Sequence, residues 1–577
     1  MAKRYRPVDR DQAFLFPPDM RDWLPADHPV HLVIRVVEEH LDTRAFHALR
    51  RTGGAGAAGY DPDMLVTVLV WAYAHQVTSS RRVEQLCGTD VAFRLICAGN
   101  LPDHATIARF RAAFPGPAAE LFGQVLALCA ALGMGRLGVV ALDGTKIAAS
   151  ASMSANRTED RLRQLAAQTV AAHAAADTAE DALFGDARGD EVPEDAWSPR
   201  RRDGRIAAAA ASLAAGRQAE AGARDQQASA CLDRAATGRP GSGARPAAAD
   251  VGAAQLLLDQ ATAAQQAKID DWEQRNAGHL AATGTGLRNP PRRPASQYAR
   301  VRQAQAKLDK ARARAAAAGR KAAAKQRSRQ GPGPVRNITD PDSRLMPVRG
   351  GGFIQGYNAQ LVTSQDGLII ATRLTASTTD MRWLEPMMTD AEDAAALITA
   401  RRRSDEHDSI RTGGDRDGDS SSARGDRDGD SSGSGSGDGS VTYAGPIGLL
   451  LADAGYCSDD NLTAAGPDRL IATGKRRDLE KAARSPASGN HRGQATRAMA
   501  ARLQTDDGIA AYRHRGHIAE TPNGDIKHNK KFRQFSMRGL PKASAEWQLI
   551  TATVNLLKAI SSGHLTHAAL DTLTTTP

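Results

Sequence analysis

The chain has 577 residues, a length that calls for several domains or for one domain carrying large insertions. Its formal net charge of +10 favours a polyanionic partner such as nucleic acid. Five scattered cysteines exclude a CxxC zinc site and a disulfide framework, and no run approaches the roughly 18 apolar residues that a membrane span requires.

Residues 1–135 read as a helical module. The stretch His31 to Val37 opens an amphipathic helix, and Tyr60-Asp61-Pro62 caps a second that runs through Met64, Leu65, Val68, Leu69 and Ala72. Ser79 is the expected N-cap of a third, with Glu84 in its first turn. Leu101 to Arg111 reads as a turn followed by a basic helix. With Arg109 and Arg111 outward that helix suits a DNA groove, and it suits an ordinary bundle with solvated arginines equally well.

An apolar, β-branched run, Val139-Val140-Ala141-Leu142, then ends at Asp143, after which Gly144 offers a turn. Such a run predicts a buried strand that carries a carboxylate to the end of a sheet. Residues 154–335 differ in kind, being rich in Ala, Arg, Gln and acidic residues with few large apolar ones. They read as a helical arm inserted into another domain, interrupted by disorder near Ala236–Ala249. Within the arm, Val301 to Gln330 carries ten Lys and Arg residues opposed only by Asp309. That tract is either a solvated face or a helix that follows phosphates with a steep salt dependence.

From Gly350 to Val362 the pattern changes to period two, a strand, and Asp366-Gly367 is a hairpin signal before the returning strand Leu368 to Thr372. Thr378-Thr379-Asp380 is the expected cap of a helix near Trp383 to Met388. Residues 401–440 read as a disordered loop containing GDRDGDSS at 414–421 and again at 425–432. Without a terminal glutamate and flanking helices, those acidic pieces read as low complexity rather than a calcium loop.

A second apolar run, Gly448 to Ala452, ends at Asp453, followed by a helix start at Ser458 and a short strand from Leu470 to Thr473. Two buried strands that each end in an aspartate are suited to hard divalent cations acting on a phosphodiester. Glu520 is the candidate third carboxylate, and Asp525 is its rival. On a continuous helix Lys527, seven residues on, shares the face of Glu520. Pro522 instead favours a helix that begins at Thr521, with Glu520 at its mouth.

Taken in order, several pieces resemble the DDE transposases of bacterial insertion sequences, the type numbered eleven-eighty-two above all. They are SSRRVEQLCGTDVAFRLICAGNLPDHATIARFR at 79–111, ALDGTKIAASAS at 141–152, DTAEDALFGDARGDEVPED at 177–195, NITDPDSRLM at 337–346, GGFIQGYNAQ at 351–360, LLADAGYCSDDNL at 450–462, and the stretch 512–558 from YRHRGHIAETPNGDIK to NLLK. The resemblance implies an α/β, RNase H-like catalytic domain of mixed sheet and flanking helices. Its first strand lies in 136–153, the insertion in 154–335 and the remainder in 336–577.

Matched residue by residue, the family's triad falls on Asp143, Asp453 and Glu520, which the resemblance implies hold Mg²⁺ or Mn²⁺, two ions in all. The accompanying YREK-like signature adds Tyr512, Arg515 and Lys527 as phosphate contacts. Arg515 has four residues between it and Glu520, where the broader family often has three. The implied partners are double-stranded DNA, both terminal inverted repeats and target, and a second copy of the chain in a synaptic complex. The N-terminal helices, with Arg109 and Arg111, would bind the ends. The implied setting is the bacterial cytoplasm, with no membrane. A metal-dependent nuclease on the same fold and an inactive DNA-binding relic are the competing readings.

Overall fold

The computed structural model describes residues 19–48, 59–168, 171, 202–237, 247–291, 293–328, 335–348, 351–412, 445–474 and 493–573. The duplicated acidic segment at 414–432 and the stretch 177–195 lie outside them, as does 238–246, within the segment expected to be disordered.

The molecule is mixed α/β, built round strand β1 (Val139–Ala148). Val140, Ala141 and Leu142 are fully buried, as an apolar run in a strand covered on both faces must be. Two short pairs lie outside or at the rim of the sheet: β2 (Asn156–Thr158) with β3 (Val335–Asn337), and β4 (Arg344–Pro347) on the edge of β5 (Phe353–Ser364). β5 runs antiparallel to β1 and continues through a hairpin into β6 (Ile369–Thr375). The predicted Asp366-Gly367 turn joins them, with Gly367 at φ +84°, a left-handed angle that glycine adopts without strain. Asp366 also accepts from the backbone N–H groups of Gly135 and Arg136, which holds the turn against the entry to β1.

On the other side of β1, β7 (Leu449–Ala452) pairs in parallel, and β8 (Asp468–Ile471) pairs in parallel with β7. The order across the sheet is therefore β6, β5, β1, β7, β8. The parallel pairing of β1 with β7 ends at Leu142 opposite Ala452, so the next residue of each strand is an aspartate. β1 itself does not end there. It continues to Ala148 against β5, and Gly144 lies inside the strand, opposite Gln360, rather than in the expected turn.

One face of the sheet packs on the helices Leu384–Thr412 and Leu540–Ser561. The other packs Ala141, Leu451 and Leu470 against Met499, Leu503, Ile518 and Ala519 from the segment 494–529. Leu540–Ser561 is buried nearly all round because the sheet lies on one side and N-terminal helices on the other. Its Asn555 donates to the carbonyl of Ile369 and accepts from the same residue's N–H, so a side-chain amide satisfies the edge of β6. Pro62–Ala74, capped by Asp61 as expected, is likewise buried along most of its length rather than amphipathic. Buried side chains from Val30 to Leu570 form one contiguous core.

Three further expectations are corrected. Helix Ser80–Thr89 begins at Ser80, so Glu84 falls beyond its first turn and instead meets His104 Nδ1 at 2.8 Å. The helix expected to end before residue 401 continues to Thr412. Its periodic Ala391, Ala395 and Ile398 are buried, and Arg402 donates to the carbonyls of Met134 and Gly135, which extends the ordered helix past the low-complexity boundary. Asp380 precedes that helix but makes no side-chain cap bond.

The inserted arm is helical as expected, with Arg202–Ala236, Ala247–Thr283 and Ala299–Ser328 as its long members. The β2–β3 ribbon closes its base, and the small cluster of Leu162, Leu165, Ile206, Ala209 and Leu213 packs beside it. No single described helix is long and apolar enough to cross a membrane.

Candidate active site

Asp143 and Asp453 stand one residue beyond the last parallel pair of β1 and β7. Asp143 is largely covered, its side chain 17% exposed, and its pKa is pushed up to about 6. Burial is the main cause, and the charge of Asp453 adds to it, while Arg515 and the bonds from Gly144 and Asn523 oppose it. Asp453 accepts from the N–H of Gly455 at 2.8 Å, which bends the chain sharply after β7.

The third element crosses above them. The chain is helical from Asp506 to Asn529, passing through an α segment, a π turn at Gly516–Glu520, a short α segment at Thr521–Gly524 and a second π turn at Asp525–Asn529. The helix thus does not start at Thr521. Pro522 sits within it because the wider turn relieves the clash of the ring with the preceding turn and leaves its missing N–H without consequence. The π turn also explains the spacing of Arg515 and Glu520. It absorbs the one extra residue between them, and Arg515 Nη1 lies 3.9 Å from Glu520 Oε1.

Arg515 bridges two acids. Its Nη2 donates to Asp143 Oδ1 at 3.2 Å, and Asn523 Nδ2 donates to Asp143 Oδ2 at 3.0 Å. Tyr512 donates its hydroxyl to the carbonyl of Ala452 at 3.0 Å, which ties the crossing helix to the end of β7. Lys527 is half-buried close to Asp143, its pKa lowered by burial and by the cations Lys146 and Arg533, with Asp143 acting against them. Asp525, the rival ligand, is engaged along its own helix by Asn529 Nδ2 at 2.8 Å. Glu520 is 64% exposed at the mouth.

A polar layer behind β1 was not legible in the sequence. Asp380 Oδ1 accepts from Asn358 Nδ2 at 2.6 Å, Gln360 Nε2 at 2.8 Å and Lys146 Nζ at 3.3 Å. Gln360 in turn accepts from the buried hydroxyl of Tyr456, three residues past Asp453. Gly144 makes room for this layer: a Cβ there would sit 2.6 Å from Gln360 Nε2 and 2.7 Å from Asp380 Oδ1, so one of these side chains would have to shift. The available signal was the pair Asn358 and Gln360, polar residues in the middle of a strand expected to be buried.

The donor set suits a hard divalent cation. Three carboxylates supply oxygen ligands, two of them close enough that the charge of one raises the pKa of the other. Beside them the buried Oδ1 of Asn523 has no hydrogen-bond partner.

The N-terminal arginines part company. Arg109 is exposed and donates only within its own helix, to Ala105 and Thr106. Arg111 does not point outward as expected; it is 4% exposed. It donates to the carbonyl of Thr78 at 2.6 Å, to Ser536 Oγ at 3.0 Å and to the hydroxyls of Tyr73 and Ser80, and it lies 4.0 Å from Glu546. The helical module and the C-terminal helix meet at this arginine.

Residues 18–113 match a family model described as "Transposase domain (DUF772)", and residues 476–560 match one described as "Transposase DDE domain". No curated protein and no solved structure shows significant similarity.

Proposed function

We propose how this chain, which its two domain matches make a DDE transposase of an insertion sequence, cuts and joins DNA: with Asp143, Asp453 and Glu520 as its carboxylate triad. The observation that carries the assignment is the meeting of Asp143 and Asp453 where the parallel pairing of β1 with β7 stops, under the helix that bears Glu520. The DDE match covers Glu520 but neither aspartate, so strand topology is what supports the other two. An antiparallel trio of strands followed by two parallel ones, in the order third, second, first, fourth, fifth, supports an RNase H-like catalytic domain. The motif set supports the type numbered eleven-eighty-two. The division into an end-binding module at 1–135, an insertion at 154–335 and a catalytic domain from 136–153 and 336–577 belongs to the same reading.

DDE domains work with divalent metal ions, and here Asp143, Asp453 and Glu520 would hold Mg²⁺ or Mn²⁺, two ions in all. Bound there, such ions supply an activated oxygen nucleophile and charge stabilisation at the scissile phosphate. The chain's own residues prepare that position. Arg515 and Asn523 fix both oxygens of Asp143, so the carboxylate cannot rotate away from its neighbour. Tyr512 holds the helix at the end of β7, which sets the distance from Glu520 to the aspartates. Lys527 carries no carboxylate partner among the described residues and offers its ammonium to the DNA backbone, orienting the strand without reading bases. First water and then the freed 3′-hydroxyl occupy the nucleophile position, so hydrolysis at the element's end and strand transfer into target DNA use one site. Synapsis of two ends requires a second copy of the chain.

The test is a cleavage and strand-transfer assay on DNA bearing the element's ends, comparing wild type with Asp143→Asn, Asp453→Asn and Glu520→Gln. Joining that needs Mg²⁺ or Mn²⁺ and is lost in all three variants, with end binding retained, is the expected result. Activity surviving Glu520→Gln overturns the triad.

A further inference from the structure

The active site does not account for the basic tract of the inserted arm. In helix Ala299–Ser328, Val301, Ala304, Leu308 and Ala311 are buried at steps of three and four residues, so this stripe faces the neighbouring arm helix. That packing fixes what points away. Arg300, Lys307, Lys310, Arg314 and Lys321 follow one another at steps of seven, three, four and seven, a second stripe on the same helix, and all five are exposed. They span ~32 Å at about 1.5 Å per residue.

Four cations elsewhere in the base and helices of the arm are paired: Arg163 and Arg217 with Glu159, Arg224 with Glu220, Arg275 with Asp271. Among the described residues, none of the five cations on the ridge makes an ion pair. The single acid of the tract, Asp309, is engaged by Gln305 at 3.0 Å. At the start of the helix the basic surface continues into a cavity of about 310 Å³ lined by Arg293, Gln297, Tyr298 and Arg302. A row of unpaired cations held straight by a packed seam is complementary to a row of phosphates. Helix-borne Lys and Arg of this kind contact backbone and not base edges.

We propose that this ridge is a sequence-independent docking surface for duplex DNA, engaging roughly nine base pairs at 3.4 Å each beyond the DNA held at the carboxylates. The proposal rests on the transposase reading for its choice of polyanion, but it concerns binding and not chemistry.

The experiment uses the full-length protein and a random-sequence duplex, with affinity measured across a salt series. Changing Arg300, Lys307, Lys310, Arg314 and Lys321 together to Gln lowers the slope of log affinity against log salt by up to about 4.5, at about 0.9 per phosphate contact. Exchanging Lys for Arg and Arg for Lys at the same positions keeps the slope. Circular dichroism verifies that both variants retain their helix content. Cleavage of end-bearing DNA by wild type and the three triad variants is read in parallel, so failure of the triad and failure of the ridge give different results. An unchanged slope and affinity in the folded Gln variant overturns the proposal.

Discussion

Arg111→Ala separates a DNA-reading arginine from a structural one. The side chain is 4% exposed and donates to Tyr73, Thr78, Ser80 and Ser536, beside a Glu546 that is 1% exposed. Breaking a buried pair by removing one partner costs about 3–5 kcal/mol, because the other charge is left in a low-dielectric interior. Glu546 keeps donors from Ser536 N, Met537 N and Ser536 Oγ, and Arg111 Nε has no partner to lose. Both facts place the loss near the lower end, ~3 kcal/mol. At about 2.1 cal/mol/K per residue over a cooperative unit of several hundred residues, that is a fall in Tm of roughly 2.5–5 °C. Arg109→Ala, on an exposed arginine, should stay within about 0.5 kcal/mol of wild type. Thermal unfolding followed by circular dichroism, with end-binding assays in parallel, reads both variants. An Arg111→Ala protein with unchanged Tm and lost end binding would refute the structural role.

Three further outcomes are expected. Asp380→Ala leaves Asn358, Gln360 and Lys146 without their shared acceptor, so cleavage should fall by more than about tenfold, with a stability loss of ~2 kcal/mol and end binding intact; unimpaired cleavage would show that the layer behind β1 does not position the site. Deleting Gly516 lets an α turn replace the π turn while Arg515 and Glu520 stay on one face, so the folded protein should keep measurable cleavage; complete loss in a folded variant would contradict that account of the spacing. The bidentate bond from Arg502 holds the pKa of Asp468 below its ordinary value. A depressed carboxylate contributes stability above its unfolded pKa and loses it as pH falls through the folded value. The Tm gap between wild type and Asp468→Asn should therefore be widest near neutrality and close in strong acid, and a pH-independent gap would exclude the linkage.

Much of the catalytic sheet was legible because its signals are local. The runs before Asp143 and Asp453, the Asp366-Gly367 turn and the Asp61-Pro62 cap each depend on residues adjacent in the chain. The long helices of the arm were legible for the same reason, since Ala-rich composition favours helix regardless of what packs on it. Tertiary structure decided what depends on partners distant in sequence. The sequence pattern around Arg111 is that of a solvated basic helix, and partners distant in sequence, the Thr78 carbonyl, Ser536 and Glu546 among them, turn that arginine inward. Gly144 has the local pattern of a turn, yet it is a strand residue whose missing side chain makes room for Gln360 and Asp380. Pro522 and the extra residue before Glu520 signal a broken helix, whereas π turns keep it continuous and on target. The sequence determines which apolar runs deliver carboxylates to the sheet; which side chains converge on them is set by long-range packing, whose energy no short window of residues contains.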